Sequence, residues 1–190
     1  TTLFRSFIPL HDDWVIMAAD YSQVELRVVA HLSGDDSLIT AFNNNVDIHA
    51  HTAASINGVD IADVDSDMRS RAKAVNFGIL YGMGPHRLGQ QTGMSFSEAQ
   101  DFIDQYFEAF PKVREWLDAT LDTARSTEKV STLAGRVRPI PDVNSSDGRV
   151  RSGAENMAVN TPVQGSAADL IKMAMIKVSA ALKQEEMQAR

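Results

Sequence analysis

The stretch RSRAKAVNFGILYG, residues 69–82, decides how the rest of the chain reads. Arg69, Lys73, Phe77 and Tyr81 recur in it at a spacing of four. At 3.6 residues per turn each such step drifts by about 40°, so a helix sets the four along one slowly winding stripe. The order along the stripe is cation, cation, aromatic, aromatic. Ala72, Val75, Ile79 and Leu80 are left to pack elsewhere. Gly78 and Gly82 each cost about 1 kcal/mol of helix stability relative to Ala, which marks places where something approaches the backbone closely. Two readings stand. The stripe can be a solvated face whose aromatic end tucks into a core. It can also be a platform with two fixed cations for a polyphosphate and an aromatic face for a base or sugar. It is not a P-loop, because G-x-x-x-x-G-K-[ST] is absent.

A second stretch, AADYSQVELRVVAHLSGD (residues 18–35), puts an acid after an apolar run. WVIMAAD (residues 14–20) has the length and composition of a buried strand, and QVELRVVAHLS predicts a helix ended near Gly34. Asp20 at that junction can be a cap or turn residue. It can also be a hard-metal ligand, since Mg²⁺ takes one or two carboxylates together with phosphate oxygens and water. A two-ion phosphoryl-transfer site needs a second acid. Asp12, Asp13, Asp35 and Asp36 are candidates by type alone and read as caps or solvated acids. His49 and His51 point about 200° apart on a helix, so they are no His-x-x-x-His zinc pair. His49 alone reads as a phosphate donor or a polar residue at a helix start.

Helices are predicted at Asp36–Asn43, Ile48–Asn57, Ser66–Tyr81 and Pro85–Gln91. SFSEAQDFIDQYFEAF follows, with Ser97 as its N-cap and Pro111 after its end, and KVREWLDATLDTARST repeats helical spacing. KVSTLAGRVRPIP predicts a β-hairpin turning at Ala134–Gly135. A long helix starts near residues 148–151, with Pro162 as a candidate interruption, and runs to the end. The class is α+β and mostly helical.

The 190 residues allow one domain or two small ones. Hydrophobic content of 44% and charged content of 23% are ordinary for a globular protein. No apolar stretch is long enough to span a bilayer. The absence of cysteine excludes disulfides and Cys-ligated zinc and fits a cytosolic compartment. The net charge of −7 hides a pattern: −8 over residues 1–66, +3 over 67–94, −5 over 95–128 and +3 over 129–151. Two basic segments in an acidic chain suit a protein that meets phosphates at chosen places and holds metal with carboxylates. A start at Thr1 and a helical pattern running to Arg190 without a stop signal predict a piece of a longer protein.

These motifs together resemble the polymerase domain of family A DNA polymerases, the bacterial DNA polymerase I type, over essentially the whole chain. DYSQVELRVVAHLSGD is similar to that family's motif A, and RSRAKAVNFGILYG to its motif B, the O helix. NTPVQGSAADLIKMAM is similar to its downstream palm helix, while DIHAHTAA and TLAGRVRPIPD fit in order. The resemblance implies a partial palm with few antiparallel strands plus the helical fingers of a right-hand polymerase. Residues 1–34 would be palm with motif A, 35–128 the fingers, and 129–190 the hairpin and palm helix.

The resemblance also assigns roles. Asp20 would hold two Mg²⁺ ions with the Tyr21 carbonyl, and Lys73 would share in catalysis at the phosphate nearest the scissile bond. Ser22 and Gln23 would line the nucleotide site, and Glu25 would close the space a ribose 2′-OH needs. His49 and Arg69 would contact the β- and γ-phosphates, and Phe77 would pack on the incoming sugar and base. Tyr81 and Gly82 would lie by the templating base. Arg136, Asn160 and Gln164 would contact the primer-template, the last two reading minor-groove acceptors common to every correct pair. The partners implied are primer-template DNA and a dNTP, with no membrane, acting as a monomer in a bacterial or phage-infected cytoplasm at the nucleoid.

Two departures accompany the match. The family's second catalytic acid lies in an HDE motif after the palm helix, beyond Arg190, so the chain by itself is expected to be inactive. Where the family usually has Arg, this chain has Asn156, in AENMAVN. The alternatives are a single-subunit RNA polymerase, which Glu25 and Phe77 oppose, and a non-catalytic DNA-binding remnant, which Asp20, Lys73 and Tyr81 oppose.

Overall fold

Helices α1 (Val24–Ser33), α2 (Asp36–Asn43) and α3 (Ile48–Asn57) follow one another closely, each opened or closed by a local signal. The computed structural model describes residues 15–80 and 82–185. Gly34 closes α1 in the left-handed region at φ +63°, where an L side chain is strained. The Asp35 carboxylate accepts from the N–H groups of Ser37 and Leu38 and so caps α2. The Asp47 carboxylate does the same for α3, accepting from His49 and Ala50.

A short 3₁₀ turn at Ile61–Asp63 leads to α4 (Ser66–Leu80), then α5 (Pro85–Thr92), α6 (Phe96–Ala109) and α7 (Pro111–Thr127). The cap of α6 is Ser95, not Ser97. Ser95 accepts from the Glu98 N–H while Glu98 Oε2 accepts from the Ser95 N–H. That reciprocal pair needs a spacing of three to Glu98, which Ser95 has and Ser97 does not. Beyond α7, β1 (Lys129–Ser131) and β2 (Val137–Pro139) pair antiparallel, with Val130 opposite Arg138. Gly135, at φ +79°, makes the turn. A 3₁₀ turn at Pro141–Asn144 precedes α8 (Gly148–Gln184).

Two further expectations fail here. Of the strand expected at residues 14–20, Trp14 lies outside the described residues. Val15–Asp20 forms no strand, and Val15 and Met17 are 88% and 78% exposed. A strand exists only through a hydrogen-bonded neighbour, and among the described residues β1 and β2 form the one sheet. Nor does Pro162 interrupt α8. A helix-interior proline costs about 3 kcal/mol, but here both flanks are anchored. Val159 and Val163 lie in the main core, Thr161 Oγ1 donates to the Met157 carbonyl, and Ser166 Oγ donates to the Pro162 carbonyl.

The main core gathers Val29, Ile48, Val75, Leu88, Tyr106, Phe110, Val113 and Val163 from seven helices. Burial pushes the Tyr106 phenol far above its ordinary range. A smaller core of Val130, Ile140, Val143, Ala154 and Ala158 seats the hairpin on α8. Among the described residues no helix is long and apolar enough to cross a membrane.

Candidate nucleotide and nucleic-acid site

The α4 stripe is held in place by α3. Arg69 pairs with Asp47 through Nη2 at 2.8 Å and Nε at 2.9 Å, so one carboxylate both caps α3 and fixes the first cation of α4. Burial works to raise the Asp47 pKa. The Ala50 N–H, the Arg69 guanidinium and the His49 N–H outweigh it and hold the carboxyl below its ordinary 3.8. His49 projects into the same junction, 4% exposed, with its ring centroid 5.8 Å from that of Phe77. Asn76 Nδ2 lies 3.1 Å from His49 Nδ1 and donates to Thr52 Oγ1 at 3.1 Å.

Lys73 is exposed and Phe77 half-buried. Both line an open cavity of about 390 Å³, together with Asp67, Arg71, Gln91 and Thr92. The structure thus brings Arg69, His49, Lys73 and Phe77 together, in the cation-to-aromatic order of the stripe. Tyr81 lies outside the described residues.

Asp20 is exposed in the irregular segment before α1, and Tyr21 is 54% exposed. Ser22 and Gln23 form the turn into α1. The Ser22 carbonyl accepts from Arg27 Nε at 3.1 Å, and Gln23 is left-handed at φ +53°. Glu25 is half-buried in the first turn of α1. The donors at Asp20 and the Tyr21 carbonyl are hard oxygens, the kind Mg²⁺ takes. Among the described residues no three His, Asp or Glu side chains gather into a metal-sized cluster.

Asn160 and Gln164 lie one turn apart along α8, Gln164 exposed. Asn160 Oδ1 is buried without a hydrogen-bond partner, an acceptor left open beside the hairpin. Arg136 is engaged by the protein itself. Its Nε meets Asp169 Oδ1 at 3.0 Å and its Nη2 donates to the Gly165 carbonyl at 3.1 Å. Gly82 packs its backbone against α8, where a Cβ would lie 1.8 Å from Asn156 Oδ1.

Sequence reasoning overlooked Asp47, Thr52 and Asn76. The signal for Asn76 was present: an amide among Ala72, Val75 and Ile79, on the side of α4 facing the core, needs a buried partner.

The sequence model of DNA polymerase family A matches residues 2–190. The chain belongs to that family. It is 54% identical over 179 residues to the thermostable DNA polymerase I of Thermus filiformis, covering 94% of this chain and 22% of that protein. To DNA polymerase I of Caldicellulosiruptor bescii it is 52% identical over 186 residues, covering 98% and 22%. Among solved structures it is similar to the POL domain of Pol1 from M. smegmatis, in complex with DNA primer-template and dNTP. That match has a TM-score of 0.86 and 44% identity, covering 90% of this chain and 30% of that one. The chain therefore spans about a fifth of the length of the curated family A polymerases it matches.

The buried His49 and half-buried His51 of this family A chain should make its stability pH-dependent. Burial is the largest cause holding His49 and His51 below the ordinary value of 6.5, with Asp47 and Asp35 opposing it respectively. The unfolded chain regains the ordinary value and takes up more protons in acid. The imidazole contribution is therefore whole above 6.5 and is lost as pH falls below it. Urea unfolding followed between about pH 8 and pH 5 should show a midpoint that is flat on the alkaline side and falls on the acid side. A midpoint that rises on acidification contradicts this.

Proposed function

We propose that the chain serves template-directed DNA synthesis as part of a longer family A polymerase. It would add a dNTP to a primer 3′-hydroxyl with release of pyrophosphate. The observation that carries this reading is the α3–α4 junction, where Arg69 and His49 lie close to Lys73 and Phe77, the latter two lining an open cavity. The similarity to a polymerase domain complexed with primer-template and dNTP supports the same partners here. Arg69 and His49 bind the outer phosphates, Lys73 neutralises charge on the phosphate nearest the scissile bond, and Phe77 seats the sugar and base. Asp20 and the Tyr21 carbonyl would hold Mg²⁺, which supplies phosphate neutralisation and a lowered pKa for the primer hydroxyl. Glu25 excludes the ribose 2′-OH. Gly82, Asn160, Gln164 and Arg136 lie toward DNA, with Tyr81 beside the templating base. The protein would work as a monomer in the bacterial cytoplasm, at the nucleoid.

The test is primer extension with Mg²⁺ and dNTPs. The full-length polymerase containing this chain should extend, and the 190-residue chain alone should not, since among its described residues no acid cluster gathers that could hold a metal with Asp20. A full-length protein that binds primer-template without extending it, with its catalytic acids intact, would favour a DNA-binding remnant. Glu25→Ala in the full-length protein is expected to raise incorporation of rNTPs relative to dNTPs by about tenfold, as relief of a 1–3 kcal/mol steric penalty implies. Unchanged sugar selectivity would remove Glu25 from the gate.

A further inference from the structure

We propose that Asn76 is a positioning residue that fixes His49 as the neutral tautomer with its proton on Nε2. The argument is one of hydrogen-bond polarity in a closed space. Asn76 is 1% exposed and Thr52 0%, so their polar atoms must satisfy one another and their immediate neighbours. Thr52 Oγ1 has one proton and two acceptors in reach, the Ile48 carbonyl at 2.8 Å and Asn76 Oδ1 at 3.3 Å. The shorter bond takes the proton. The hydroxyl lone pairs are then free to accept from Asn76 Nδ2 at 3.1 Å. The second Nδ2 proton has His49 Nδ1 at 3.1 Å. A donor in that position requires a lone pair on Nδ1, so the neutral ring carries its proton on Nε2.

The other arrangements cost more. Turning the amide over pairs Asn76 Oδ1 with a ring protonated on Nδ1 and brings Nδ2 within 3.3 Å of Thr52 Oγ1, but it leaves the second Nδ2 N–H buried and unpaired, a rarer and costlier defect than the under-satisfied Oδ1 of the arrangement above. A doubly protonated ring sets Nδ1–H against Nδ2–H. Burial of the ring disfavours that charged form, Asp47 opposes the shift, and Arg69 and Lys73 add to it. Donation thus runs outward from the Asn76 amide in both directions, through Thr52 to the Ile48 carbonyl of α3 and directly to the His49 imidazole. The use of the Nε2–H rests on the function proposed above. It gives the site a neutral donor for a phosphate oxygen beside two cations, and that donor cannot be exchanged for an acceptor by tautomerisation.

The test uses the ¹⁵N-labelled 190-residue chain. Long-range imidazole correlation spectra should place His49 Nδ1 at the shift of a bare nitrogen and Nε2 at that of a protonated one. A scalar coupling should appear across the hydrogen bond between Asn76 Nδ2 and His49 Nδ1. A protonated Nδ1, or absence of the coupling, overturns the proposal. Folded Asn76→Ala should show mixed tautomers, and an unchanged single tautomer overturns the role of Asn76. If that variant does not fold, the wild-type coupling decides. Adding a dNTP with Mg²⁺ should move the Nε2 signal. A correct tautomer that ignores the dNTP upholds Asn76 and counts against the nucleotide reading of the junction, so the two failures are separable.

Discussion

Lys73→Ala in the full-length polymerase containing this chain is expected to lower the single-turnover rate of nucleotide addition by about 10²–10³-fold, the usual cost of removing one preorganised charge from a developing anion. Lys73 is the stripe cation that the structure leaves available. Arg69 is already paired with Asp47 at 2.8 Å, so part of its charge is spent on holding α4 to α3. Lys73 is exposed and lines the cavity with Phe77. The loss should fall chiefly on the rate, with a smaller change in dNTP affinity, because the charge it answers grows as the bond to pyrophosphate breaks. Its exposure also means that thermal unfolding should be almost unchanged. Lys73→Arg should recover only part of the rate, since a planar fork replaces a compact point charge. A rate within about threefold of wild type for Lys73→Ala would remove the residue from catalysis.

The contrast between Arg69 and Lys73 shows what the chain discloses and what it withholds. The stripe itself is legible from spacing, because helical periodicity is a local property. The bounds of α2 and α3 are legible for the same reason: Asp35, Asp47 and Gly58 act on the backbone within one turn of themselves. The hairpin turn at Gly135 follows from left-handed φ alone. What fails depends on partners remote in sequence. Residues 15–20 have a strand's composition, yet strand formation is decided by a neighbour. Pro162 reads as a break, yet packing of Val159 and Val163 carries α8 through it. Ser95 and Ser97 are both plausible caps, and the Glu98 carboxylate chooses between them. At the candidate site, spacing alone sets Lys73 and Phe77 on one stripe and leaves their role open. The pairing of Arg69 with Asp47 and of Asn76 with His49 belongs to the packing of α3 on α4. Arg136 likewise reads as a free cation until Asp169, on another element, is brought to it.

Gly82→Ala should destabilise the chain by about 2–5 kcal/mol, from two penalties that can be separated. The first is conformational. The Gly82 N–H donates to the Ile79 carbonyl at 3.1 Å and the Met83 N–H to the Gly78 carbonyl at 2.8 Å, the paired bonds of a Schellman ending for α4. That ending puts Gly82 at φ +61°, where a side chain costs about 1–2 kcal/mol. The second is steric. A Cβ at Gly82 would lie 1.8 Å from Asn156 Oδ1 and 2.6 Å from its Cγ. Asn156 is half-buried, in a cavity shared with Met83, Arg114 and Glu155, so moving it disturbs the seat of α4 on α8. Asn156→Ala removes the overlap and leaves the φ penalty. The double variant should therefore regain the steric share, about 1–3 kcal/mol, as a favourable coupling energy in a double-mutant cycle of urea unfolding. Additive single effects would mean that α4 and α8 do not meet at Gly82. A single variant costing under about 1 kcal/mol would mean that the left-handed ending itself is dispensable. Asn156 is thus the residue against which the end of α4 closes, and the cycle measures that contact directly.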